Sequence, residues 1–328
     1  MKSLAFFLIL LFGLFSQAAI YNYDYWWPKE LTTYFAKVNE ARITTPQISG
    51  GVQKCRPIYK NALSKGVLDI HYALGYFDDS QAIDIIYDNK NFGLSPSLDI
   101  AVFDVIREFL KTPCEPQNPQ KLCGFAEQGD PNNGLVILTK QITLLEQLVT
   151  VRISLSHASA SENFIANKTI LNERQKYLTQ QSEQNYFGAL GSAADVVIYN
   201  GHSRNGGGPD FNPPLLKDDL HVNYDGYYQV KKTGINRVLE MIKNGKNKDQ
   251  VIGFFSCYSQ RWFFDSIMKA NPKQRVIFSA DTIDYLDSLQ ASLGYVEGFM
   301  QGYCGQDLAD IAKQSEKIKV GFQGFQIR

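Results

Sequence analysis

Short continuous apolar runs, separated by longer stretches with helical spacing, dominate the second half of the chain. Leu148–Leu155 reads as a strand, and Asp195–Tyr199, Val251–Phe255 and Arg275–Ser279 are rich in Val, Ile and Phe and lack the alternation of a strand with one wet face. Such runs predict strands buried on both sides. Between them, Asn163–Leu190, Gly234–Asn244 and Phe263–Ala270 read as helices, the second stopped at Gly245, and a further helix follows Ser279 and runs through Met300. Strand and helix in alternation predict a parallel sheet with helices on both faces. The fold class expected is α/β, a three-layer sandwich with a mostly parallel sheet over residues 148–328, preceded by a smaller mixed α+β region over 19–147.

In that earlier region, helical spacing recurs at Pro28–Val38 and Ile100–Leu110, with β-leaning runs at Gly66–Tyr76 and Ala82–Tyr87 between them. Pro113–Asn133 holds Pro113, Pro116, Pro119, Gly124, Gly129 and Pro131 and is expected to be a loop without regular structure. Tyr21, Tyr23, Tyr25, Trp26 and Trp27 form an aromatic cluster that reads as a packed N-terminal segment. Ahead of it, Lys2 is followed by an apolar stretch, Leu4–Phe15, and by Ser16-Gln17-Ala18. One positive charge, a short apolar core and small residues at a cleavage point predict a signal peptide over 1–18, cut after Ala18. The stretch is too short to span a membrane comfortably, which takes roughly 20 apolar residues, and no later segment comes near that length.

Charge and composition remove several function classes. The chain has 328 residues, with 33 basic against 33 acidic side chains. That balance gives no electrostatic footprint for nucleic acid or an anionic membrane. With 44% hydrophobic and 13% aromatic residues the chain can build a core. No metal-ligand cluster and no cofactor motif stands out; the glycines at Gly206–Gly208 are not followed by the Lys-Ser/Thr of a phosphate-binding loop. A leader peptide implies export, to a periplasm or the outside, where disulfides persist. The 5 cysteines are an odd number. Cys114 and Cys123 are close enough in sequence for a local bridge, Cys55 and Cys304 pair by elimination, and Cys257 is left with a free thiol.

Ligands of open parallel sheets bind beyond the carboxyl ends of the strands. Asp195–Tyr199 leads into Asn200-Gly201-His202-Ser203, and Val251–Phe255 leads into Ser256-Cys257-Tyr258. An imidazole and a thiol are therefore expected at one sheet edge, the arrangement that thiol nucleophiles need. A second reading makes Ser203 the nucleophile of a serine esterase. Against it, Asn205 stands where a strand–helix elbow needs a small residue, and the only later histidine, His221, lies well before the remaining strands. His71, within an apolar stretch, reads as a core or edge histidine.

Val-Val-Ile-Tyr-Asn-Gly-His202 followed later by Val-Ile-Gly-Phe-Phe-Ser-Cys257 resembles the caspase-like cysteine peptidases, the group of caspases, legumains, gingipains and clostripain. The resemblance covers residues 148–328. It implies an endopeptidase acting on a polypeptide substrate, with Cys257 attacking the carbonyl and His202 protonating the leaving amine. The backbone N–H groups of Ser203 and Cys257 would form the oxyanion hole. The family has glycine after the histidine where this chain has Ser203, which keeps open a non-catalytic relative that binds a peptide or an envelope component. His157, Asp210 and Asp281 lie near the expected edge and are candidates for contacting substrate.

Overall fold

The computed structural model describes residues 52–76, 85–87, 90–93, 97–114, 122–160, 173–213, 232–283, 285–312 and 320–323. The leader at 1–18, the aromatic cluster, the helix expected at 28–38 and His221 lie outside the described residues. In chain order, a 3-10 segment (Val52–Tyr59) leads into α1 (Lys60–Lys65), β1 (Val67–Leu74), β2 (Ile85–Tyr87), β3 (Lys90–Gly93) and α2 (Ser97–Lys111). There follow β4 (Ala126–Gln128), β5 (Leu135–Leu144), β6 (Gln147–Ser156) and α3 (Glu173–Glu183), which continues into a π-helical turn, Gln184–Gly188. β7 (Val196–Asn200), α4 (Thr233–Asn244), β8 (Val251–Phe255), α5 (Ser259–Ala270), β9 (Arg275–Ser279), α6 (Tyr285–Met300), α7 (Gln306–Ala312) and β10 (Val320–Gln323) complete it.

Among the described residues one sheet of eight strands runs in the order β10-β9-β8-β7-β1-β6-β5-β4, beside the small β2-β3 hairpin. Its centre, β9-β8-β7-β1-β6, is parallel throughout. Antiparallel strands close both ends, β10 on one and β5-β4 on the other. The mostly parallel sheet with helices on both faces agrees with the α/β sandwich expected, but it is not confined to residues 148–328. The position of residue 147 in it is informative. β5 and β6 pair over ten positions through the turn Leu145–Glu146, and β1 sits between β6 and β7, so strands from both sides of residue 147 alternate in one sheet.

Strand alternation sorts the side chains into two cores. One set, with Leu68, Ile70, Tyr72, Val196, Ile198, Val251 and Phe255, packs under α2, α6 and α7. The other, with Ala73, Val197, Tyr199, Ile252, Phe254 and Phe278, packs under the π turn, α4 and α5. Every position of β7 and β8 is buried, as their unbroken apolar runs require. On β5 buried positions alternate with partly exposed ones because helices cover only one of its faces.

The expected loop at 113–133 holds more order than its prolines suggest. β4 pairs with Ile137–Thr139 as an edge strand, and Pro131–Asn133 forms a 3-10 turn started by Asp130, whose carboxylate accepts from the Asn132 N–H. Edge strands and first helical turns are where proline is tolerated. Both expected disulfides are present, Cys55–Cys304 and Cys114–Cys123, and Cys257 is the free cysteine among the described residues. No helix of the described residues is long and apolar enough to cross a membrane.

Candidate active site at the carboxyl edge of the sheet

β7 and β8 are neighbours, and their last register pair is Asn200 opposite Phe255. The Gly201 N–H donates to the Phe255 carbonyl at 3.3 Å, which carries the ladder past the strand ends. His202 and Cys257 each lie two residues beyond that last pair. Asn200 and Phe255 both turn toward α6, Asn200 through its bonds there and Phe255 through its contact with Tyr295 at 5.9 Å. The sequence thus brings imidazole and thiol to adjacent, in-register strand ends. Both residues are partly exposed. The Cys257 thiol donates to the Ile283 carbonyl at 3.4 Å, in the segment that enters α6.

Cys257 stands at a strand–turn–helix junction. Tyr258, the next residue, adopts a left-handed conformation (φ 51°, ψ 28°) and caps α5, and its N–H donates to the Asp281 carbonyl at 2.9 Å. Arg204 and Asn205, after His202, also have positive φ, at 49° and 50°. Left-handed backbone at non-glycine residues is uncommon and collects at functional loops. Three such residues flank the two candidate groups. The N–H groups of Ser203 and Cys257 donate to no backbone carbonyl of the described residues.

Two buried tyrosine-centred networks fix these strand ends, and sequence reasoning found neither. The Tyr199 hydroxyl donates to the His202 carbonyl at 2.9 Å and accepts from the Asp210 N–H at 3.2 Å, so the loop after β7 wraps around one oxygen. Burial pushes the Tyr199 hydroxyl well above its ordinary pKa, against the pull of Arg204, and keeps its proton in place. Any Cβ at Gly201 would lie 2.6 Å from that hydroxyl, so only glycine fits before the histidine. On the other side, Asn200 Nδ2 donates to the Tyr72 hydroxyl, the Ser292 hydroxyl and the Ser288 carbonyl, and its Oδ1 accepts from Ser288 Oγ. Ser288 Oγ also donates to the Phe255 carbonyl at 3.1 Å, so α6 holds the ends of β7 and β8 together. The available signal was Asn200 itself, a polar residue closing an apolar run, since a buried amide must find partners.

The three candidate substrate residues separate. Asp281 is partly exposed; its carboxylate accepts from the Thr282 N–H, and its backbone carbonyl holds Tyr258 at the site. Asp210 turns inward and orients its own loop, with Oδ1 accepting from the Asn212 N–H and side-chain amide. Arg204, also buried, lies 3.9 Å from its other oxygen and donates to the Tyr76 carbonyl, tying this loop to the end of β1. His157 is a core residue, its ring tilted against Phe103 with centroids 4.5 Å apart, and its Nδ1 accepts from the Ser159 N–H. Its imidazole is pushed down to about 3, by burial first and then by the charges of Arg174 and Arg107.

A folded-state pKa below the unfolded one makes stability fall as pH falls. His157 costs nothing above the unfolded value, near 6.5, and its penalty grows from there down to about pH 3. The expected loss is about 1.4 kcal/mol per pH unit across that window. His157→Asn keeps an acceptor for Ser159 and does not titrate. Chemical denaturation of the variant at pH 6 and pH 4 is expected to show a shallower acid loss than the parent protein. An equal loss in both would mean that His157 takes up a proton while folded.

His71 lies on β1, away from this edge, and bonds Asn185 Oδ1 through its Nδ1 at 2.8 Å. Among the described residues no group of three or more His, Cys, Asp or Glu side chains is placed to hold a metal ion. Compared with protein-family models, curated proteins and solved structures, the chain matches none of them.

Proposed function

We propose that the protein is an exported cysteine endopeptidase of caspase-like type, with a His202–Cys257 dyad acting on polypeptide substrates. The observation that carries this reading is the in-register placement of His202 and Cys257 beyond the ends of two adjacent parallel strands. Cys257 being the free cysteine beside two disulfides supports it further. In the reaction the thiol leaves the Ile283 carbonyl and gives its proton to the imidazole. The sulfur then attacks the scissile carbonyl, and the Ser203 and Cys257 N–H groups hold the oxyanion. Protonated His202 delivers its proton to the leaving amine, and water, deprotonated by the same ring, hydrolyses the thioester. Export rests on the leader-like residues 1–18 and on disulfides that an oxidising compartment maintains.

Peptidyl chloromethyl ketones alkylate a thiolate held beside an imidazole, so they test the dyad directly. Labelling of the mature chain is expected at Cys257, with loss of hydrolysis of a mixed fluorogenic peptide pool, and neither is expected in Cys257→Ala. Fluorophosphonate capture at Ser203 with Cys257 unlabelled would replace this reading by the serine esterase. The thiol's bond to the Ile283 carbonyl favours a second reading, a non-catalytic relative that binds peptide. That reading gains if chloromethyl ketones leave Cys257 intact while iodoacetamide, which needs no neighbouring base, still modifies it.

A further inference from the structure

A groove of about 550 Å³ opens on the sheet face opposite α6, between the π-helical turn and strands β1, β6 and β5. It lies toward the amino ends of β1 and β7, away from His202 and Cys257, and is independent of the peptidase reading. Its volume is that of a small-ligand site. A π-helical turn is itself rare and frequently marks a functional position.

The hydrogen bonding of the floor dictates which chemistry it offers. Both Asp69 oxygens accept from Arg152, from Nε at 2.9 Å and Nη2 at 2.7 Å. Burial alone would raise the Asp69 pKa, but the His71 ring, its Nε2 3.7 Å from Oδ1, and the bonds from Arg152 outweigh it and hold the carboxyl well below the usual range. Asp195 accepts from Asn61, from Lys65 and from the Asp69 N–H. Asn185 donates to the Ser154 carbonyl and the Ser156 hydroxyl, which leaves its Oδ1 to accept from His71 Nδ1. Both carboxylates are paired to these cations, and the cations keep donors to spare. Arg152 bonds through Nε and Nη2 and keeps Nη1, while Lys65 bonds only the Ala193 carbonyl and Asp195, and both side chains are partly exposed. Spare donors with positive charge ask for an anionic acceptor. Leu135 and Ile137, level with Ser156 and Ser154 of β6, supply an apolar wall on one side of Arg152, and Val67 lies on the other.

We propose that this groove binds a small amphiphilic carboxylate, its head between Arg152 and Lys65 and its hydrocarbon part along Ile137 and Leu135. The test is calorimetric titration of the mature chain with octanoate, octanamide and octylamine. Octanoate is expected to bind saturably, with octanamide about tenfold weaker for lack of the charge-assisted bonds and octylamine not bound. Ala193 is exposed on the groove's rim, so Ala193→Trp is expected to abolish octanoate binding while leaving the thermal midpoint unchanged. Hydrogen–deuterium exchange of the unsubstituted protein gives a check that needs no variant, with octanoate-dependent protection expected in residues 135–137 and 181–194. No saturable octanoate binding, equal binding of octylamine, binding that survives Ala193→Trp, or protection confined elsewhere would each overturn the proposal.

Discussion

Replacing His202 by alanine is expected to lower kcat/KM for peptide hydrolysis by roughly 100- to 10,000-fold, the usual contribution of a positioned acid–base group. The effect has two sources. Without the imidazole the thiol loses its proton acceptor, and the leaving amine loses its proton donor. Cys257→Ala removes the nucleophile itself and is expected to cost at least as much. Because the two residues act as one unit, the double variant should be no slower than Cys257→Ala alone. His202 is partly exposed, and the Tyr199 bond goes to its backbone carbonyl, which alanine retains. Steady-state kinetics on the four proteins, with thermal midpoints as a folding control, decide the matter. Costs that multiply in the double variant would show two independent residues and sink the dyad.

The same geometry separates what the residues alone reveal from what only folding reveals. β7, β8 and β9 are legible because a strand buried on both faces must be apolar at every position. The edge carrying His202 and Cys257 is legible for the same reason, since parallel strands end together. β5 escapes notice because only one of its faces is covered, which leaves Thr139, Lys140 and Gln141 in mid-strand and weakens the apolar signal. The central position of β1 is hidden altogether. Its neighbours β6 and β7 come from far along the chain, and no local pattern encodes which strands pair. His157 follows a strand just as His202 does, yet one lies in the core beside Phe103 and the other at the rim. That difference depends on α2, which packs over the end of β6 through Phe103 and through Asp99, the acceptor for the Ser159 hydroxyl at 2.5 Å. Tyr199 and Asn200 look like the tail of a strand until Tyr72, Ser288 and Ser292 arrive from distant elements to bond them.

Removing the Cys55–Cys304 bridge is expected to destabilise the protein considerably more than removing Cys114–Cys123. The first closes a sequence separation of 249 residues and the second only 9. Loop-closure entropy grows with the logarithm of length, so the longer bridge restricts the unfolded chain by about 3 kcal/mol more than the shorter one. On that measure the local bridge contributes about 2.6 kcal/mol and the long bridge about 5.5 kcal/mol, the latter above the roughly 2–4 kcal/mol typical of native disulfides. Packing around the long bridge points the same way. Cys55 and Cys304 are both buried, and the neighbouring Tyr59 donates its hydroxyl to the Tyr303 carbonyl at 2.5 Å while its ring meets Phe299. The bridge therefore pins the 3-10 segment before β1 to the end of α6, the helix whose Ser288 holds the ends of β7 and β8. Alanine pairs at the two sites, compared by urea denaturation at equal protein concentration, measure the difference. In the Cys55→Ala/Cys304→Ala protein, chloromethyl ketone labelling of Cys257 should also slow, because α6 is less firmly held beneath the candidate site. Equal costs for the two pairs would mean that the unfolded chain already keeps residues 55 and 304 close together, and labelling at an unchanged rate would show that α6 holds its place through Asn200 and the aromatic core alone.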